Sequence, residues 1–183
     1  YDYVTQITLN TTEHQMYPDE KFRMTATVYP PTARYKDVNW SVSDTSIATI
    51  DTLGNVTGYK AGIVTITASA KDPHGVSIDC KFTLLQKVDS ITFNKSSYDL
   101  YKCNKLKVEP NISPANAYNK SVSYSSSDTS IASIDSNGLI KPYKVGVVTI
   151  TVTALDKKGA VGTYNVYVRQ NITAVHFKYK SIT

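Results

Sequence analysis

"SDTSIATIDTLGN" occupies Ser43–Asn55 and "SDTSIASIDSNGL" occupies Ser127–Leu139. The two segments start 84 residues apart (43 to 127), and the same offset holds elsewhere without a gap. "VTQITLN" from Val4 answers "VDSITFN" from Val88, and Phe22, Met24 and Val28 answer Leu106, Val108 and Ile112. Pro30 answers Pro114, Trp40 answers Tyr124, and "GIVTITASA" from Gly62 answers "GVVTITVTA" from Gly146. A fixed period of this length means that one structural unit is used more than once. Shifted once more, Val88–Phe93 lands on Ile172–Phe177. The expected organisation is therefore a first repeat over 1–86 and a second over 87–170. Residues 171–183 would be the first strand of a truncated third repeat or a C-terminal extension. Linkers are expected at Leu85–Lys87 and Arg169–Asn171.

Within a repeat the apolar period is two. Phe22, Met24, Ala26 and Val28 alternate with polar residues, as do Val64, Ile66 and Ala68, and Ile78, Cys80, Phe82 and Leu84. That spacing predicts strands with one buried and one wet face. Asp51–Gly54 and Asp135–Gly138 carry Asp at the first turn position and Gly at the fourth, and Asp72–Gly75 and Asp156–Gly159 repeat the device. The Asp accepts backbone N–H bonds and the Gly takes positive φ as the next strand begins. About seven short strands per repeat, with turns every 8–12 residues, predict an all-β fold of tandem β-sandwiches. In the opening stretch, Ile47, Ala48, Ile50 and Val56 are expected to plug the core, with Trp40 at the sandwich centre.

Trp40-Ser-Val-Ser-Asp, Ile47-Ala-Thr-Ile-Asp, Gly54-x-Val56 and Lys60-x-Gly62-x-x-x-Ile66 closely resemble the bacterial immunoglobulin-like domain, group 2. The second repeat carries Tyr124-Ser-Ser-Ser-Asp, Ile131-Ala-Ser-Ile-Asp, Gly138-x-Ile140 and Lys144-x-Gly146-x-x-x-Ile150. Two departures stand out: Asp19 and Cys103 occupy a turn position where the family usually has Gly, and Tyr124 stands where Trp is expected. The resemblance implies immunoglobulin-like sandwiches of about 80–90 residues. It also implies tandem arrays of the kind found in bacterial adhesins, surface-layer and cell-wall proteins, secreted polysaccharide enzymes and phage virion proteins. In none of these does the module itself carry catalysis.

The residues themselves point the same way. His14, His74 and His176 lie far apart, and none sits near another His or a Cys at metal-ligand spacing. No G-x-S-x-G, H-E-x-x-H or phosphate-cradling glycine loop is present. No catalytic, cofactor-binding or metal-ligating residue is assigned, and no cofactor is expected. Asp44, Asp51, Asp72, Asp128, Asp135 and Asp156 read as turn formers, with calcium at a domain junction as the alternative. Cys80 alternates with Phe82 and Leu84 and should be a small buried hydrophobe, whereas Cys103, in a turn, is the more exposed thiol; no disulfide is expected between them. Tyr17, Tyr29, Tyr35, Tyr59, Tyr101, Tyr118 and Tyr143 lie near turns or strand ends and are the candidate contact residues.

The chain carries a net charge of +5, but no basic run is longer than two residues, so scattered solubilising lysines are favoured over a basic patch. Nucleic-acid binding is not expected. No apolar stretch approaches the roughly 20 residues of a membrane-spanning helix, so membrane insertion is not expected either. The first residue is Tyr1 rather than Met, which suggests a processed product, an excised fragment or the ordered part of something longer. The expected function is a non-catalytic, extracellular or bacterial-surface module for structure and adhesion. It would space or display a partner domain, sit beside neighbouring Ig-like domains, and contact a protein or surface glycan. The alternatives are a virion-surface decoration that binds host surface or neighbouring subunits, and an accessory spacer of a secreted polysaccharide-active enzyme.

Overall fold

A computed structural model describes residues 2–171. Tyr1 and residues 172–183 lie outside the described residues, and with them the expected third-repeat strand and His176. Backbone packing divides the chain between Lys87 and Val88. Every regular element among the described residues is a strand.

The first unit contains β1 (Gln6–Leu9), β2 (Glu13–Met16), β3 (Lys21–Arg23), β4 (Ala26–Tyr29), β5 (Val38–Val42), β6 (Ala48–Ile50), β7 (Asn55–Gly58), β8 (Gly62–Ala70) and β9 (Ser77–Leu84). One sheet has the order β2-β9-β8-β5. Facing it are β3-β7-β6 and the pair β1-β4. The long hairpin β8–β9 forms the spine, with Ile66 opposite both Cys80 and Val42. The second unit contains β10 (Ser90–Thr92), β11 (Ser97–Tyr101), β12 (Leu106–Lys107), β13 (Asn111–Ser113), β14 (Val122–Ser126), β15 (Ala132–Ile134), β16 (Leu139–Pro142), β17 (Gly146–Ala154) and β18 (Val161–Arg169). It repeats the topology as β11-β18-β17-β14, β12-β16-β15 and β10-β13.

Nine segments per unit replace the expected seven because two long strands are broken. The first one changes sheets: β1 pairs antiparallel with β4, and after the Asn10–Thr12 bend β2 pairs parallel with β9. The second, read from its alternation as continuous, is interrupted at Met24–Thr25 between β3 and β4. There the Asn10 side chain stands in for a strand neighbour. Its Oδ1 accepts the Thr25 N–H at 2.9 Å and its Nδ2 donates to the Arg23 carbonyl at 3.0 Å. Met24 N–H meanwhile reaches the Gly54 carbonyl at 2.8 Å.

Alternation works as expected on the hairpin strands. Val64, Ile66 and Ala68 are buried, while Thr65, Thr67 and Ser69 are only partly covered on the opposite face. Ala48 and Val56 are fully buried and Ile47 and Ile50 pack against them, so the opening stretch plugs the core. The centre of the first unit is Met24, Val56, Ile66 and Phe82. Trp40 is not there: it is partly buried at β5, an edge strand, where it touches the two apolar clusters of the unit from the side. β5 has a sheet neighbour on one side only, which leaves one flank of the ring without a covering strand. Asp19, standing where the family usually has Gly, adopts φ of 71°, a left-handed conformation that Asp tolerates better than most residues.

Candidate functional site

The residues that recur between repeats are occupied in holding turns. Asp44 Oδ1 accepts the Ser46 N–H at 2.8 Å and the Ser46 hydroxyl at 2.7 Å, and Asp128 does the same with Ser130. Asp51 Oδ1 accepts the Leu53 and Asn55 N–H groups at 2.9 and 2.8 Å; Asp135 accepts those of Asn137 and Leu139 at 2.9 and 3.0 Å. These bonds are stronger to the ionised carboxylate than to the protonated acid. The Ser46 and Ser130 hydroxyls hold Asp44 and Asp128 below the ordinary carboxylate range, the Asn55 side chain does so for Asp51, and the Leu139 N–H for Asp135. A depressed folded-state pKa contributes stability that is complete above the unfolded value of about 4 and is lost as pH falls through the folded value. These four carboxylates are therefore expected to lower the urea midpoint below about pH 4, beneath an earlier decline that begins near pH 6.5 as the unfolded chain takes up the proton that buried His14 resists. The acid limb should be shallower in Asp44→Asn/Asp51→Asn; an unchanged limb would show that these turns do not sense pH.

Asp72 and Asp156 do more than the turn role expected of them. Both are buried. Asp72 Oδ1 accepts the His74 N–H at 3.2 Å inside its turn, while Oδ2 accepts the Val4 N–H at 2.7 Å, across the unit. Asp156 holds the Val88 N–H at 2.5 Å and the Lys158 and Gly159 N–H groups at 3.1 and 3.0 Å. Each carboxylate thus fastens the chain just ahead of β1 or β10 to the far hairpin turn. His74 lies in that turn with its ring 4.1 Å from Tyr3, and His14 packs at 3.7 Å on Phe22. Burial lowers the His14 pKa, partly offset by Glu20. Among the described residues no group of three or more His, Cys, Asp or Glu is placed to hold a metal ion.

The tyrosines named from sequence are distributed rather than pooled. Tyr59 and Tyr143 occupy matching places and bond through their hydroxyls to Thr49 and Ser133 at 2.9 and 3.0 Å. Tyr35 shares a cavity of about 320 Å³ with Asp2, Tyr3, Arg34 and Pro73. Tyr29, Tyr101 and Tyr118 are exposed, and Tyr17 is partly buried beneath Lys87.

Other concavities were not anticipated, among them two that carry aromatic rings. In the second unit Phe93 stacks on Tyr164 at 5.1 Å, and with Tyr98 and Leu106 they line a cleft of about 200 Å³; burial raises the Tyr164 pKa to about 12. In the first unit a groove of about 440 Å³ lies between β5 and the Asp51–Gly54 turn. Trp40, Leu53, Arg23, Lys36, Lys71 and Asp37 are on its walls. Lys71 Nζ is 4.0 Å from Asp37 Oδ2, and both are exposed. One signal of this groove was present in the sequence: Asp37, Leu53 and Lys71 answer Ser121, Asn137 and Leu155, so the repeats diverge here together with Trp40 and Tyr124.

The sequence pattern of the bacterial Ig-like domain, group 2, matches residues 3–79 and again 87–164. The chain belongs to this family. It is 34% identical over 164 residues to an uncharacterised protein of Clostridium acetobutylicum, covering 90% of this chain and 17% of that protein. It is 31% identical over 143 residues to an Ig-like virion protein of Serratia phage KSP90, covering 75% of this chain and 55% of that one. A segment of 49 residues is 51% identical to part of an alpha-L-arabinofuranosidase of Bifidobacterium longum, covering 27% of this chain and 5% of the enzyme. The chain thus spans less than two thirds of each of these relatives. The tandem fold also matches mouse clustered PcdhgC3 EC1-3 with a TM-score of 0.51 at 12% identity, over 91% of this chain and 68% of that one.

The two cysteines of these Ig-like units are free. Cys80 is fully buried on β9, and desolvation pushes its thiol up to about 11. Cys103 is exposed, with the Asn171 side-chain amide donating to its Sγ at 2.8 Å. Because the thiolate is the nucleophile, a thiol reagent at neutral pH should modify one group per folded chain, Cys103, and a second only after unfolding. Two fast-reacting thiols in the native protein, measured by mass spectrometry, would contradict the packing of Cys80.

Proposed function

We propose that this chain is a non-catalytic structural and adhesion module of an extracellular or surface protein, which spaces or displays a partner domain and offers a side face to a ligand. The observation that carries this reading is the pairing of the opening strand with the closing strand of each unit. Glu13–Met16 runs parallel to Lys81–Leu84, and Ser97–Tyr101 runs parallel to Asn165–Arg169. In a parallel pair, tension applied at the two ends of a unit slides the strands along each other. The ladder bonds are then loaded together instead of opening one at a time. Shear loading of this kind suits a load-bearing spacer. The recurrent polar residues support the same reading, because Asp44, Asp51, Asp72 and their partners in the second unit are engaged in holding backbone N–H groups. A second reading, a decoration of a virion surface, is favoured by the relative from Serratia phage KSP90. The short match inside an arabinofuranosidase makes an accessory role in a polysaccharide-active enzyme the third.

Stretching single molecules tests the mechanical role. Two extension steps are expected, each shorter by the folded length of the unit than the roughly 280–300 Å that 84 residues span at about 3.3–3.6 Å per residue. The first unit should yield at the lower force. Its parallel ladder has four residue pairs, against five in the second, where Arg169 Nε also meets Asp99 Oδ1 at 2.8 Å. Extension without resolvable steps, at the forces of an unfolded chain, would rule out a load-bearing role.

A further inference from the structure

The groove beside Trp40 combines three chemical demands that few ligands meet together. It offers the partly buried indole of Trp40 and the exposed Leu53 as apolar surface. It gathers Arg23, Lys36 and Lys71 from three separate parts of the chain, the end of β3, the loop before β5 and the end of β8. It also places Asp37 among those cations. Aromatic faces carry negative potential and attract the apolar C–H face of a sugar ring. Arginine and lysine take carboxylate or phosphate oxygens. A carboxylate among cations has no use for a simple anion, yet it accepts hydrogen bonds from hydroxyl groups. At about 440 Å³ the groove is within the usual range of sites for small molecules, about 300–1,000 Å³.

We propose that this groove binds an acidic glycan, with one sugar ring stacked on Trp40, its hydroxyls on Asp37, and its carboxylate or phosphate on Lys36, Lys71 and Arg23. The assignment rests on the adhesion reading above and names the ligand class for it. Nucleic acid fits less well, since Asp37 would face closely spaced phosphates and only one aromatic ring is available for stacking. The second unit does not carry the set. Tyr124, Leu155, Ser121 and Asn137 replace Trp40, Lys71, Asp37 and Leu53, and Glu109 stands where the first unit has Thr25. Binding is therefore assigned to the first unit alone, with one site per chain.

Trp40 is the only Trp in the chain, so its fluorescence reports directly on the groove. The full chain is titrated with oligogalacturonate, with a phosphodiester-linked hexose polymer, with a neutral glucan of equal length, and with a single-stranded oligonucleotide of equal charge. A saturable change in emission with the uronate or with the phosphate polymer is expected, and which of them responds identifies the source of the anion. The response should weaken as salt is raised past about 0.15 M. Lys36→Gln/Lys71→Leu, both at exposed positions that leave the core untouched, should weaken binding about tenfold or more. No response to either acidic polymer would overturn the proposal. So would equal binding of the neutral glucan or the oligonucleotide, or full affinity in the double variant. Two extension steps under force with no response in these titrations would remove the ligand and leave the spacer role standing; absence of both would remove the module reading itself.

Discussion

Gly54→Ala is expected to destabilise the first unit by about 3–5 kcal/mol, the sum of a left-handed backbone and an overpacked contact. Gly54 has φ of 84°, and a Cβ added there would lie 2.4 Å from the Met24 carbonyl oxygen. That oxygen is backbone and cannot turn aside, because Met24 N–H is bonded to the Gly54 carbonyl at 2.8 Å. The matching change, Gly138→Ala, should cost less. Its φ is 77°, but the nearest atoms are the tip of the Tyr124 ring at 3.0 and 3.1 Å and the Val108 carbonyl at 3.1 Å, and an aromatic tip can shift by the few tenths of an ångström required. Urea unfolding followed by Trp40 fluorescence reads the first unit and circular dichroism reads both. Equal losses for the two variants would show that the backbone conformation, and not the close approach to Met24, selects glycine at position 54.

Asp72→Ala is expected to cost about 2–4 kcal/mol, because it leaves the Val4 N–H buried without an acceptor and removes bonds to a charged group. For a unit of this size that corresponds to a fall in Tm of roughly 8–30 °C. The change should be felt at a distance. Amide exchange at Val4 and Ile7 should accelerate along with that at His74, since one carboxylate holds both segments. Asp72→Asn keeps one carbonyl oxygen and should recover part of the loss. Asp44→Ala, which removes an exposed turn contact of the same residue type, should cost clearly less. If Asp72→Ala were no worse than Asp44→Ala, Asp72 would be a turn former only, as its sequence context suggests.

How far the sequence could be read depended on where the cause of each feature lies. β8, β9, β17 and β18 were legible because alternation is a local record of which face is buried, and the buried partners lie in the adjoining strand of the same hairpin. The Asp-to-Gly turns were legible for the same reason: donor, acceptor and glycine lie within four residues. The break between β3 and β4 was not legible. Phe22, Met24, Ala26 and Val28 alternate as in an unbroken strand, and the interruption comes from Asn10 and Gly54, which are distant in sequence. The long reach of Asp72 and Asp156 was hidden likewise, since each looks complete as a turn residue until Val4 or Val88 is brought to it. Basic residues too far apart in sequence to form a run became one side of the Trp40 groove because three separate segments converge there.

The sequence by itself determined the family, the repeat, the all-β class and the faces of the long strands. These follow from residue order at short range, and the offset of 84 residues writes each of them twice. Tertiary structure alone decided which strands break, which carboxylates are buried, and that Trp40 stands at an edge with Arg23, Lys36, Lys71 and Asp37 around it. The physical reason is that burial and convergence are properties of segments distant along the chain. They have no signature in the spacing of neighbours and exist only once the two sheets are packed face to face.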